Sequence, residues 1–233
     1  PFATIPLGPP PIVDDASPAP RHAPPQDQLD HDAASAARTT IHRITGIIGG
    51  LADQPVDGVK SGGLGAKALR TMAAGSDLSV EETGLLVDLA WVAGLCSGAE
   101  ENRGGRGRNA RWVWFAKPSD GFAAWVGVPL DRQWHHLAST WLAASRLPGL
   151  AGRKFGTGNP KPAMSEDPHL TAERIRRGVL DVLVQLPVGA STSATSIARR
   201  IQFDQPMLVP SHLDELVVVV ELVVLEATVL GVI

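Results

Sequence analysis

The chain has 233 residues, a formal net charge of −3, 44% hydrophobic residues and 19% charged residues. This composition is typical of a protein with a folded core, and the small negative charge excludes a global electrostatic attraction to nucleic acids or acidic membranes. Any contact with nucleic acid must therefore come from a local basic patch. The single cysteine, Cys96, excludes an intrachain disulfide and favours the cytoplasm, where association with the nucleoid is an option.

Proline-rich and glycine-rich stretches predict how the chain is divided. Residues 1–27 are expected to form an extended or disordered Pro-rich linker, and residues 151–168 a second linker. The remaining sequence then forms two modules, at 28–150 and 169–233. The chain shows no signal-peptide pattern. Because it begins with Pro1 rather than Met and stops at Ile233 inside an apolar run, we expect both ends to be cut from a longer polypeptide.

Apolar residues recur at three- and four-residue spacing in several segments, which predicts helices. The predicted helices cover residues 29–51, 65–74, 79–94, 119–126, 130–144, 170–186, 192–202 and 211–230. Ser79 and Glu82 form a capping-box pattern at the start of helix 79–94, and Gly94 stands where a helix-terminating glycine is expected.

Residues 216–233 form a run of valine and leucine that allows more than one structure. Glu221 and Glu226 interrupt the run, which argues against a membrane span because each carboxylate costs a few kcal/mol at the centre of a bilayer. The valine content also suits a buried strand. We favour a buried helix.

A polar, glycine-rich stretch at 97–110 precedes the strand-like run Arg111–Phe115. Two helices followed by strand, loop and strand is the order of a helix-turn-helix with a β-wing. Three further helices in the second half repeat the pattern of the first half. We therefore expect a mainly α fold with small β-wings (α+β), built as tandem winged-helix-like modules, of which the module at 169–233 is incomplete.

The sequence contains no recognisable catalytic, cofactor or metal motif. The stretch Gly62–Lys67 lacks the Gly-Lys-Ser/Thr spacing of a phosphate-binding loop. His135 and His136 are adjacent, so their side chains diverge on a helix and do not suit one metal ion. With no nucleophile motif either, we expect a protein that is not an enzyme and has no cofactor.

Four arginines, Arg103, Arg106, Arg108 and Arg111, lie close together in the predicted wing, next to Trp112. A contact with phosphate depends more on how far a side chain can extend than on a rigid arrangement of the loop. These arginines are therefore the candidate DNA-binding residues. The alternative is a solvated loop whose arginines only keep it soluble.

The helices that would enter the major groove carry acidic side chains and no basic ones. The acidic residues are Glu81, Glu82 and Asp88 on helix 79–94, and Asp214, Glu215, Glu221 and Glu226 on helix 211–230. Because carboxylates repel phosphate, sequence-specific reading by these helices is not expected.

Several stretches are similar to one known family. They are Ser61–Gly65 before Ala68–Arg70, Glu82–Ala90 running into Ala93–Leu95, Trp134–Ala138 with Trp141–Leu142, Pro148–Leu150, Val179–Leu183 leading to Leu186–Pro187, and Glu226–Val232. These stretches resemble the actinobacterial helicase-associated domain proteins, whose modules are related to the N-terminal domain of XPB-type DNA-repair helicases. The resemblance implies winged-helix folds and a repair or transcription context, and no ATPase activity because the motor motifs are absent.

Together these features predict a non-catalytic accessory module of a DNA helicase or repair-associated protein. It would bind the backbone of double-stranded DNA weakly and non-specifically, with a helicase or another protein as a further partner and no membrane contact. The alternative is a protein-interaction scaffold without DNA binding, whose acidic helices dock a basic partner.

Overall fold

A computed structural model describes Pro9 and residues 24–60, 62–106, 109–154, 158–187, 192–207 and 212–233. The helices are α1 Gln26–Asp53, α2 Ala66–Ala74, α3 Val80–Val92, α4 Phe122–Val126, α5 Leu130–Ala143, α6 Ala172–Val184, α7 Ala194–Asp204 and α8 Leu213–Val229. The strands are β1 Val56–Asp57, β2 Cys96–Asn102 and β3 Trp112–Pro118, and a short 3-10 helix covers Pro148–Leu150. The described chain is thus mainly helical with one small antiparallel sheet, an α+β composition.

All eight predicted helices are confirmed, and local sequence signals place both ends of α3. At the start of α3 the Ser79 hydroxyl accepts from the Glu82 amide at 3.1 Å, and the Ser79 amide donates to the Glu82 carboxylate at 2.8 Å. After α3, Gly94 has a φ of +70°, and the Leu95 amide donates back to Ala90 at 2.8 Å. The capping box and the terminating glycine therefore act as the sequence predicts.

The sheet has the order β1–β3–β2, with both neighbouring pairs antiparallel. β2 and β3 form the two-stranded ribbon predicted at 97–115, and their pairing runs from Cys96 opposite Pro118 to Asn102 opposite Trp112. β1 was not predicted, because two residues after a proline carry no periodic signal. It pairs with the middle strand through Val56 opposite Ala116.

One continuous hydrophobic core joins the two halves of the chain. It includes Ile44 and Ile48 of α1, Leu89 of α3, and Val219 and Val223 of α8. Residues 216–229 of the run at 216–233 lie in the buried helix α8 rather than in a strand, as favoured from the pattern. None of the described helices combines the length and apolar character that a membrane crossing requires.

The described residues of the segment 151–168, expected as a linker, namely 151–154 and 158–168, are packed onto the body of the protein. The Leu64 amide donates to Ala163 at 2.7 Å, the Ala163 amide donates back at 3.0 Å, and both Ala163 and Met164 are buried. The apolar residues between its prolines and glycines explain why it packs.

The described residues of the predicted second module, 169–233, contain α6, α7 and α8 and no strand. Among these residues the structure therefore offers no counterpart of the β2–β3 hairpin. The division into two modules stays a prediction. The predicted linker at 1–27 lies largely outside the described residues.

Candidate nucleic-acid interface

The hairpin formed by β2, β3 and the residues between them carries a local excess of positive charge. Residues 96–118 contain four arginines and Lys117 against Glu100 and Glu101, whereas the whole chain has a net charge of −3. The backbone hydrogen bonds between the two strands continue beyond the strand ends. The Arg103 amide donates to the Arg111 carbonyl at 2.9 Å. The hairpin therefore presents most of its cations towards its tip.

Arg103 is held in ion pairs inside the protein. Its guanidinium lies 2.9 Å from the Asp57 carboxylate on β1 and 3.3 Å from the Glu101 carboxylate on β2. These contacts tie the hairpin to the edge strand and neutralise much of the charge of Arg103. Because exposed ion pairs contribute only ~0–1 kcal/mol, a phosphate could still compete for this arginine.

The tip of the hairpin holds the more available cations. Arg106 and Arg111 are exposed, and no carboxylate of the described residues lies within ion-pair distance of either. Arg108 lies outside the described residues. Of the four arginines named from the sequence, the structure therefore leaves two unpaired within the part it describes and engages one with Asp57 and Glu101.

Two tryptophans of β3 share one face of the sheet and have different surroundings. An added Cβ would lie 2.1 Å from the Trp114 ring at Gly58 and 2.3 Å from it at Gly98, so the indole of Trp114 packs across both neighbouring segments. Trp112, two residues earlier, is 61% exposed. Trp114 thus stabilises the sheet, whereas Trp112 adds an exposed aromatic ring to the basic hairpin.

Helix α3, one of the helices considered for groove reading from the sequence, is a core helix. Eight consecutive residues, 83–90, are buried, and α1, α2, α5 and the 3-10 helix all contact α3. An added Cβ at Gly84 would lie 2.6 Å from the Ala151 carbonyl oxygen. A helix covered in this way cannot enter a DNA groove, and this burial adds a second reason to the charge repulsion expected from the sequence.

Asp88, one of the three acidic residues of α3, faces the interior of the protein. Its buried carboxylate lies 2.9 Å from the Arg146 guanidinium and accepts from the Met164 amide at 2.6 Å. Burial raises the pKa of Asp88, against the opposing effects of Arg146 and of that amide. Asp88 therefore fastens the segment after α5 to α3 and cannot contact a partner.

Glu226 of α8 is internal in the same way. It lies 3.5 Å from the Arg176 guanidinium, and it accepts from the Trp141 indole and the Gly149 amide at 2.7 Å each. Burial raises the pKa of Glu226 and lowers that of Arg176. The charge of each group acts in the opposite direction on the pKa of its partner. The expectation that this carboxylate helps to dock a basic partner is wrong, because both side chains are fully buried.

The raised pKa of Asp88 predicts a specific pH dependence of stability. Above the ordinary pKa of 3.8, Asp88 loses its proton in the unfolded chain but keeps it in the folded protein. The stability that the protonated form contributes is therefore lost as the pH rises through the folded-state pKa. We expect the free energy of unfolding of the wild type, relative to Asp88→Asn, to fall as the pH rises.

Urea denaturation at a series of pH values measures this difference. The control is Asp120→Asn, the same substitution at an exposed aspartate. A free energy of unfolding of the wild type, relative to Asp88→Asn, that rises with pH would contradict the prediction.

Among the described residues we find neither a metal-binding cluster nor a reactive nucleophile. No three histidine, cysteine or carboxylate groups among them are placed to share a metal ion. Burial raises the pKa of the Cys96 thiol to about 12, so it is not a ready nucleophile. A groove of about 1230 Å³ lies between α1, β1 and α2, with walls that combine Ile47 and Met72 with Arg43 and Lys67.

The chain matches no family model, no curated protein and no solved structure in comparisons with known proteins. The resemblance to helicase-associated domain proteins stays a prediction. The functional proposal therefore depends on the geometry and charge of the hairpin.

Proposed function

We propose that the protein is a non-catalytic accessory module that binds the DNA backbone non-specifically through the β2–β3 hairpin. The observation that carries this proposal is the exposed pair Arg106 and Arg111 at the tip of a net-positive hairpin, on a chain with a net charge of −3. Phosphate binding by such a hairpin is electrostatic and independent of sequence.

The order of the elements supports the proposal. Helix α1, strand β1, helices α2 and α3, and then the β2–β3 hairpin follow each other in the chain, and β1 pairs with β3. A winged helix has this order, and its wing commonly lies against the DNA backbone. Because α3 is buried, the hairpin is the element left for contact, which favours binding without base recognition.

The setting we propose is a DNA helicase or a repair complex. This part of the proposal comes from the resemblance of the packing and turn motifs to helicase-associated domain proteins. A separate motor protein would supply ATP hydrolysis, since the sequence has no phosphate-binding loop. In this proposal the hairpin binds the DNA backbone, and the motor protein binds another part of the module.

Salt titration of binding to random duplex DNA tests the hairpin directly. We expect a steep fall of affinity with salt, because each phosphate contact releases counterions. Replacing Arg103, Arg106, Arg108 and Arg111 by alanine should lower the salt slope by about 1 for each arginine that contacts a phosphate. Arg103→Ala alone should have the smallest effect, because Arg103 is already paired with Asp57 and Glu101.

A matched control separates the hairpin from net charge. The double variant Arg132→Ala/Arg177→Ala removes two exposed arginines from α5 and α6, the same loss of charge as in Arg106→Ala/Arg111→Ala, and it should bind like the wild type. If the quadruple hairpin variant binds duplex with unchanged affinity and slope, the proposal is wrong.

The second candidate function is a protein-interaction scaffold that does not bind DNA. It is favoured by the exposed carboxylates of α8, namely Asp214, Glu215 and Glu221, which have no ion-pair partner among the described residues. A complex with a basic partner that survives nuclease treatment and is lost when these three residues become amides would support the scaffold. Loss of the complex on nuclease treatment would support DNA binding.

A further inference from the structure

Trp112 is exposed without any packing role that the described structure can assign. Its side chain is 61% exposed, and no aromatic ring, cation or hydrogen-bond acceptor of the described residues engages its indole. Leaving so large an apolar ring in water forgoes the stabilisation that burial of a large side chain gives. Trp114, on the same face, already fills the space between Gly58 and Gly98.

The residue opposite Trp112 leaves the ring uncovered. Asn102 pairs with Trp112 across the hairpin, so the two side chains begin on the same face. The Asn102 side chain instead accepts from the Gly104 amide at 3.0 Å and donates to Gly105 at 3.3 Å. The Asn102 side chain therefore stabilises the tip of the hairpin and does not cover the Trp112 ring, which is left accessible to a ligand.

The chemistry around Trp112 fits one class of ligand. Arg106 and Arg111 are exposed on the same hairpin and can hold phosphates, while an exposed indole can stack on a nucleobase. Bases offer both flat faces only where they are unpaired, because inside a duplex both faces of each base are covered by neighbouring base pairs. Reading of a duplex groove is not available, since α3 is buried.

We infer that the hairpin binds unpaired nucleotides, with Trp112 stacking on a base and Arg106 and Arg111 contacting the flanking phosphates. This inference rests on the proposed function and refines it from duplex backbone to single strands and the unpaired ends of duplexes. The stacking contact is independent of sequence, because every base has a π face.

Fluorescence anisotropy with labelled oligonucleotides tests the inference on the wild-type protein. Three probes of equal length and matched salt are compared: an oligothymidine strand, a strand of abasic sites, and a blunt duplex. We expect the oligothymidine strand to bind more tightly than the abasic strand, which keeps the phosphates and lacks the bases. The oligothymidine strand should also bind more tightly than the duplex.

Variants assign the effect to the tryptophan. Trp112→Ala should weaken binding of the oligothymidine strand about fivefold or more, the lower end of what one stacked base contributes, and should leave duplex binding nearly unchanged. Trp112→Phe should retain most of the affinity. Phe203→Ala, which removes a 49% exposed aromatic ring from α7, is the matched control and should bind like the wild type.

The outcomes distinguish the inference from the proposed function. If the wild type binds the abasic and thymidine strands equally, the stacking inference is wrong. This test uses only the wild-type protein and does not depend on the folding of a variant. Unchanged single-strand affinity of Trp112→Ala, or an equal loss on single strand and duplex, overturns it as well. If Arg106→Ala/Arg111→Ala binds single strand and duplex as tightly as the wild type, the proposed function itself is wrong.

Discussion

Replacing Arg176 by methionine is expected to lower the free energy of unfolding by about 3–5 kcal/mol at neutral pH. The substitution leaves Glu226 in the core without the cation that lies 3.5 Å from it. It also removes the donors to the carbonyls of Ala144 at 2.9 Å and Arg146 at 2.6 Å, so these acceptors lose buried partners. Urea denaturation followed by circular dichroism measures the loss.

The neighbouring residue provides the control for this prediction. Arg177 pairs with Glu173 on the surface, so Arg177→Met should change the stability by no more than about 0.5 kcal/mol. Adding Glu226→Gln to Arg176→Met should recover part of the loss, because the uncompensated charge is gone. The loss should also shrink at acidic pH, where Glu226 takes up a proton. An effect of Arg176→Met no larger than that of Arg177→Met would contradict the prediction.

Gly231→Ala is expected to destabilise the protein by about 2–5 kcal/mol. Gly231 ends α8 with a φ of +66°, which costs another residue about 1–2 kcal/mol. An added Cβ would lie 2.1 Å from the carbonyl oxygen of Ala33 on α1, and overpacking against a backbone adds about 1–3 kcal/mol. Thermal and urea unfolding measure the effect.

Gly94→Ala separates the two contributions. Gly94 has a φ of +70° after α3, and nothing lies within 4 Å of an added Cβ there. This variant should therefore show only the cost of the left-handed conformation, about 1–2 kcal/mol. Equal destabilisation by the two variants would show that the contact between the end of α8 and α1 contributes nothing.

The burial of α3 has a direct consequence for function. The segment after α5 covers α3 and is fastened there by Asp88, which contacts Arg146 and the Met164 amide. A protein that used α3 to read DNA would have to release this cover, break the contact between Asp88 and Arg146 and expose the buried apolar residues of α3 to water, which is costly. The base of the hairpin touches this network through Cys96, but its tip is exposed and can contact a nucleic acid without any rearrangement of the core.

Much of the candidate site could be predicted from the sequence, but the state of its residues could not. The spacing of glycines, arginines and aromatic residues predicted the ribbon, and β2 and β3 confirm it. The pairing of Arg103 with Asp57, 46 positions earlier, has no local signal. The same is true of the different surroundings of Trp112 and Trp114, since both follow the same alternating pattern.

The amino-acid sequence by itself determined the eight helices and the hairpin, because helix periodicity, capping and strand alternation depend on residues only a few positions apart. Only the tertiary structure decided that β1 completes the sheet, that α3 is enclosed, and that Asp88 and Glu226 are internal ion-pair partners. Arg146 is 58 positions from Asp88, and Glu226 reaches Gly149 across 77 positions. Whether a carboxylate faces water or a guanidinium depends on how distant segments pack, and a single sequence carries no periodic signal for that packing.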